Sequence, residues 1–437
     1  MTTKNTNFKT SFGSEIQFVP GHFEFHAETV GLKEEPFKDI QIASINAAGG
    51  NEHLDYDKVA EILKEDKVEI SIHGYGARLI RVYQFLRMLQ STTEKQTFNK
   101  SLDIGTGIAL QPRIMKGLGL TKESVGIDIY DRSTAVSERQ LAKRHRQFKR
   151  LRYLDKFRNR AESVPVEKRN WWQNAVMTDT AASARYSIRR GVGCFADDGI
   201  YDLKLKRPPH LDRYLNENIF DLEEKFDLLT SYSSLEWFKA PTIIKKCADL
   251  LEEGGLFYFW VPNWWGGVNT TLTSGHFPYA SQRMKKEDYF RYLDENLGNF
   301  SETWKSSYNY FDPTFPTMND YLNVCFENGL MPLDYRPLIK PDQAHHRTGV
   351  NPVGNFMQDF EGMQRVLSEI QEFRPDVQMH DLMPSSHAFL FKKVSKTSAM
   401  SEKTVMEWKA GMDISHNLTP PAVRRLGRLA VKYLKSK

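Results

Sequence analysis

A glycine turn set between a strand and a helix constrains this chain more than any other feature. Lys100-Ser-Leu-Asp-Ile-Gly105 reads as a strand that runs into a turn, Gly105-Thr106-Gly107 allows a tight reversal, and ALQPRIMKGLGL (109–120) continues as a helix. A second strand, SVGIDIYD (124–131), follows, and Asp128 lies 21 residues after Gly107. A carboxylate at that point can accept both hydrogen bonds of a ribose diol, as it does in nucleotide-binding βαβ units.

The alternation continues downstream. Residues 214–219 form a possible short strand, Lys225–Ser231 a clear one, and TIIKKCADLLEE (242–253) a helix with Pro241 at its start and Gly254-Gly255 at its end. LFYFWV is the next strand, and Met331–Leu338 with His387–Lys393 close the sheet as an antiparallel pair. The expected fold is α/β: a Rossmann-like, doubly wound, mostly parallel sheet with an antiparallel C-terminal edge strand and large insertions. The expected domains are an N-terminal irregular and helical cap (1–95), a core (96–395) and a basic tail (396–437). Residues 1–50 read as irregular, followed by a short helix at 57–66 and a longer helix ending before the first strand. The insertions fall at 139–213, 264–320 and 340–381, lengths typical of lids or substrate walls.

A GxG turn also serves dinucleotides. Here the third glycine position is Leu110, and Asp103 stands two residues before Gly105, where its charge repels a pyrophosphate but suits a sulfonium-bearing amino acid with an ammonium group. With SLDIGTG, VGIDIYD, NIFDL, KFDLLTSYSSLEW and LLEEGGLFYFWVPN in this order, residues 96–260 or so resemble class I S-adenosylmethionine (SAM)-dependent methyltransferases. The resemblance implies an enzyme with SAM as cofactor. Asp103, Gly105 and Gly107 would surround the methionine part, with Thr106 and Ser231 also in the cofactor site. Asp128 would hold the ribose, Ile129 would lie against adenine, and Asn218 would stand where the family commonly has an Asp contacting the adenine amino group. The blander readings are a turn-capping carboxylate for Asp103, a strand-end residue for Asp128 and a loop amide for Asn218.

The acceptor is sought in the loops beyond the strands. Many small-molecule relatives place Glu-His where this chain has Glu236-Trp237, so Glu236 is a candidate catalytic group that can equally cap a helix. In the loop from Pro262, Trp264, Trp265, Phe277 and Tyr279 offer aromatic faces to a sugar or planar group, and His276 is the candidate general base, with a packing histidine as the alternative. That loop is similar to the Gly-His loop of methyltransferases encoded with surface-polysaccharide genes, which implies O-methylation of a small molecule such as a sugar or polysaccharide precursor. The alternatives are a nucleic-acid methyltransferase and a non-catalytic SAM-binding scaffold. His345 and His346, with Asp342 nearby, would point apart in a strand and show no third ligand at familiar spacing, so no metal is expected; His73 is placed to reach the cofactor entrance, with a loop histidine as the blander reading.

Charge is unevenly spread. Residues 139–213 carry a net +11 and 396–437 a net +6, although the whole chain is only +5. The first segment suits a solvated helix, an anionic acceptor or RNA, the last being disfavoured because no RNA-binding module accompanies it. The tail has an amphipathic pattern over 423–434 that fits an anionic membrane surface or a protein face. Three separated cysteines and the lack of a signal-like apolar segment point to the cytoplasm, with peripheral membrane contact through the tail.

Overall fold

The structure, a computed structural model, describes residues 7–17, 72–129, 131–134, 137–178, 209–266, 279, 281–297, 301, 305, 308, 316–338, 360–382, 384 and 386–394. Among the described residues there are nine strands: β1 Asn7–Lys9, β2 Glu15–Gln17, β3 Phe98–Ile104, β4 Thr121–Asp128, β5 Arg213–Asn216, β6 Phe226–Tyr232, β7 Leu251–Pro262, β8 Leu330–Leu338 and β9 Ser386–Lys393. The α-helices are α1 Ile72–Thr92, α2 Leu110–Leu118, α3 Glu138–Glu162, α4 Trp171–Val176, α5 Ala240–Leu250, α6 Lys286–Leu297, α7 Met318–Glu327, α8 Phe360–Gln371 and α9 Met379–Leu382. No helix among the described residues is long and apolar enough to cross a membrane.

Seven strands form one sheet in the order β5-β4-β3-β6-β7-β9-β8. The pairs β3–β4, β3–β6 and β4–β5 are parallel, whereas β8 and β9 are antiparallel. The sheet is therefore the expected mostly parallel α/β sheet with an antiparallel pair at its C-terminal edge. Strand order reverses at β3, which has β4 on one side and β6 on the other. In open α/β sheets the crevice at such a switch point, outside the carboxyl ends of the strands, is where ligands bind.

The chain packs as two compact units, one from residues 64–231 with 250–256 and one from 1–63, 232–249 and 257–437. In the first unit β3 and β6 are buried over most of their length, as continuous apolar runs in a parallel sheet require. Asp227 fixes the starting register by accepting the amides of Asn99 and Lys100, both at 2.9 Å. Helix α1, read from sequence as part of a cap, packs on α2 within this unit.

The second unit has its own aromatic core, containing Phe8, Trp264, Trp265, Tyr279, Tyr289, Tyr292 and Tyr308. Residues 7–17 are not irregular but form a small antiparallel hairpin, β1–β2. The carboxylate of Asp288 in α6 accepts from the amide and hydroxyl of Ser11, and Phe8 meets Tyr292 edge-on at 5.5 Å. Helix α5 stops at Leu250 rather than at Gly254-Gly255, which lie inside β7. Gly255 has no room for a side chain, because a Cβ there would lie 2.8 Å from the carbonyl of Glu252. The expected helices at 57–66 and 423–434 lie outside the described residues.

Candidate functional site

The turn after β3 concentrates left-handed backbone. Gly105, Gly107 and Ala109 all adopt left-handed φ, at 62°, 54° and 54°. Glycine does this without cost, whereas alanine is strained by roughly 1–2 kcal/mol. Ala109 is the N-cap of α2 and provides no side-chain cap, so the first amides of that helix are left to whatever occupies the turn.

Three neighbouring strands hold this turn. From β4, the carboxylate of Asp128 accepts the Gly107 amide at 2.8 Å. From β5, the Tyr214 hydroxyl donates to the Gly107 carbonyl at 2.9 Å, and Asn216 donates to the carbonyls of Asp128 and Ile129. From β6, the Thr230 hydroxyl donates to Asp103 at 2.6 Å. Gly126 in β4 accommodates the turn from below: a Cβ there would lie 2.8 Å from Cγ2 of Thr106.

Asp103 is at the centre. It is 4% exposed and accepts from three neutral side chains, Thr106 at 2.8 Å, Gln111 at 3.2 Å and Thr230 at 2.6 Å. Burial pushes its carboxyl up to about 6, against the lowering influence of the Thr230 and Thr106 hydroxyls and the charge of Arg78 in α1. Gln111, next in line, has its Oε1 buried with no hydrogen-bond partner among the described residues. A buried carboxylate beside an unanswered carbonyl oxygen favours a cationic donor over an anion.

The sequence-derived candidates fare differently. Asp103, Gly105, Thr106, Gly107, Asp128 and Ile129 meet at the carboxyl ends of β3 and β4, with Asp128 and Ile129 half-buried. Asn218 caps a short 3₁₀ turn over Ile219–Asp221, where its side chain accepts the Phe220 amide at 3.1 Å. Ser231 is fully buried, and its hydroxyl donates to the Ile104 carbonyl across the β3–β6 pair. It therefore braces the sheet from within.

In the second unit Glu236 is buried in a 3₁₀ turn, Leu235–Trp237, between β6 and α5. The preceding Ser233 is left-handed at φ 54°, and its amide donates to the Trp260 carbonyl at 3.0 Å. Trp264, Trp265 and Tyr279 do not present open faces to an acceptor, and that expectation is corrected. All three are at most 6% exposed in the aromatic core, where the Trp264 ring meets Tyr308 edge-on at 5.2 Å and the Tyr279 hydroxyl donates to the Leu382 carbonyl at 2.9 Å. His276, Phe277, Asp342, His345 and His346 lie outside the described residues. Among the described residues no cluster of three or more His, Cys, Asp or Glu is arranged to hold a metal.

Gln111, Gly126, Tyr214, Asn216 and Thr230 were not singled out from sequence. Their signals are faint but physical: a glycine inside an apolar strand, a hydroxyl inside another, and two polar residues at i and i+2 on a third.

No family model matches the chain, and a search of curated proteins finds no match. Among solved structures the chain is similar to the plantazolicin methyltransferase BpumL in complex with SAH, with 13% identity over 82% of this chain and 98% of that one at a TM-score of 0.32. It is also similar to the cyclopropane synthase MmaA2 from Mycobacterium tuberculosis, with 10% identity over 72% and 84% of the two chains at 0.33. A third is the N-methyltransferase NodS from Bradyrhizobium japonicum, with 11% identity over 72% and 96% at 0.29. Identities and scores this low leave the chemistry of the site to be argued from its own residues.

Proposed function

We propose that the chain is a SAM-dependent methyltransferase. The observation that carries this reading is the buried Asp103 carboxylate beside a glycine turn whose Gly107 amide is held by Asp128, all at the switch point of the sheet. Asp103 and the Gln111 Oε1 suit the ammonium of the amino-acid part, the uncapped start of α2 suits its carboxylate, and Asp128 suits the ribose hydroxyls. A pyrophosphate, by contrast, would have to sit against Asp103.

When bound, SAM supplies an electrophilic methyl group on a sulfonium, whose sulfur keeps the bonding electron pair as the methyl leaves. The protein's contribution is to hold an acceptor in line with that methyl, a positioning effect with effective molarities of roughly 10⁵–10⁸ M in well-oriented reactions. We assign O-methylation of a small molecule, such as a sugar or a surface-polysaccharide precursor, with His276 taking the hydroxyl proton and Glu236 assisting. The cluster of basic residues suits an anionic acceptor, and the basic tail suits contact with a membrane surface from the cytoplasm.

The test is calorimetric titration with SAM and, separately, NAD, for the wild type and Asp128→Ala. Saturable SAM binding that is lost in the variant supports the assignment and justifies screening sugar and nucleotide acceptors. Absence of SAM binding, or tighter binding of NAD, refutes it.

A further inference from the structure

We propose that the exposed face formed by α3 and α4 is a docking surface for an anionic lipid bilayer. This rests on surface features of the first unit alone and is independent of the methyl-transfer reading. Helix α3 carries ten Lys/Arg against three acidic residues and begins with a complete capping box, Ser137 with Gln140, so its start is well defined. Leu141, His145 and Phe148 are buried and fix which side faces inward.

The outward side is a single stripe. Arg139, Lys143, Arg146, Arg150, Tyr153 and Phe157 follow one another at helical spacings of four and three residues, and all six are exposed. Lys149, Lys156 and Arg160, also exposed, flank it. The stripe changes character along its roughly 27 Å. Its first four positions are cationic and its last two, Tyr153 and Phe157, are aromatic, continuing into Leu154, Val166 and Trp171, which is 82% exposed.

This apolar end is held in place. Phe157 meets Trp172 of α4 edge-on at 6.0 Å, and α4 has its own capping box of Asn170 with Gln173. Exposing rings and aliphatic side chains on a braced element costs solvation that only an apolar partner recovers.

Charge and composition select that partner. A second copy would bring like charges face to face. A single-stranded nucleic acid would match the cations but stack only on rings, and Leu154 and Val166 offer none. A bilayer with anionic headgroups accounts for both parts: cations meet the headgroup phosphates while Phe157, Val166 and Trp171 enter the boundary beneath.

The experiment is co-sedimentation of the full chain with vesicles of phosphatidylcholine alone and of phosphatidylcholine with a quarter phosphatidylglycerol, alongside tryptophan emission. Binding to the anionic vesicles only is expected, with a blue shift. It should weaken by at least about tenfold in Arg146→Glu/Arg150→Glu, since each basic residue near an anionic surface contributes about fivefold. Phe157→Ser/Trp171→Ser should weaken binding comparably, and matched thermal melts check that both variants are folded. Anionic-vesicle binding that both pairs leave unchanged, as the 396–437 tail acting alone would give, overturns the proposal. So does displacement of the vesicles by an equal phosphate concentration of single-stranded RNA, or self-association that Trp171→Ser abolishes without any vesicle binding.

Discussion

Replacing Asp103 with Asn should make the protein more stable at neutral pH while weakening its hold on SAM. Burial raises the Asp103 carboxyl from 3.8 to about 6. Between those values the folded state holds a proton that the unfolded state has released, so stability falls as pH rises through the window. The interval, at 1.36 kcal/mol per pH unit, amounts to a cost of about 3 kcal/mol at pH 7. Asparagine carries no such cost. It keeps one acceptor oxygen for Thr230 or Thr106, whose hydroxyls can turn to accept from the new amide, and loses the charge-assisted character of those bonds. The net expectation is a gain of about 1–3 kcal/mol at pH 7 that shrinks towards zero by pH 4. Urea unfolding of both proteins at pH 7, 5.5 and 4 reads this directly, and calorimetry reads the loss of SAM affinity. A stability difference that stays constant with pH would show that Asp103 is not the strained group inferred here.

Gly126→Ala should cost about 1–3 kcal/mol in urea unfolding, because the new Cβ lies 2.8 Å from the Thr106 methyl, and adding Thr106→Ser should recover part of the loss. Tyr214→Phe removes the hydroxyl that donates to the Gly107 carbonyl and accepts from the Arg132 amide; about 1 kcal/mol of stability and about fivefold in SAM affinity should be lost, read by urea unfolding and calorimetry. His387 is buried against Tyr335, whose hydroxyl lies 2.8 Å from Nδ1, and burial lowers the ring from 6.5 to about 3. The unfolded chain takes up this proton first, so stability is full above pH 6.5 and is lost as pH falls, by up to about 5 kcal/mol at pH 3. Unfolding of His387→Asn between pH 7 and 4 should show a shallower decline than the wild type; parallel declines would refute the assignment.

The fold was legible because the strands of a parallel sheet are continuous apolar runs, and the run ending at Ile104 is followed by glycines that cannot continue the strand; the end of β4 at Asp128 was not legible, because Ile129 and Tyr130 are themselves strand-forming residues. The glycine turn with Asp103 and Asp128 was legible for the same reason, since glycine and carboxylate at fixed spacing carry their geometry with them. What holds the turn was not. Thr230, Tyr214 and Gln111 act across strands and helix faces, and nothing local distinguishes a threonine that donates to Asp103 from one that merely fills a strand. The aromatic residues after Pro262 misled for a related reason. Trp264, Trp265 and Tyr279 look alike in sequence whether they line a pocket or fill a core, and their neighbours Tyr289, Tyr292 and Tyr308 supply enough apolar surface to make a core.

The tethering of the glycine turn by β4, β5 and β6 also sets when the site can come into being as the chain is made. Asp103 and Thr230 are separated by 127 residues, so the β3 strand and its turn emerge from the ribosome long before their last brace. Until β6 follows, Asp103 has neither its closest donor nor a flanking strand on that side. Cofactor binding is therefore expected to switch on late in synthesis, with the emergence of residue 230 rather than of the glycine turn itself, and chains ending between β5 and β6 should carry the full fingerprint yet fail to bind SAM.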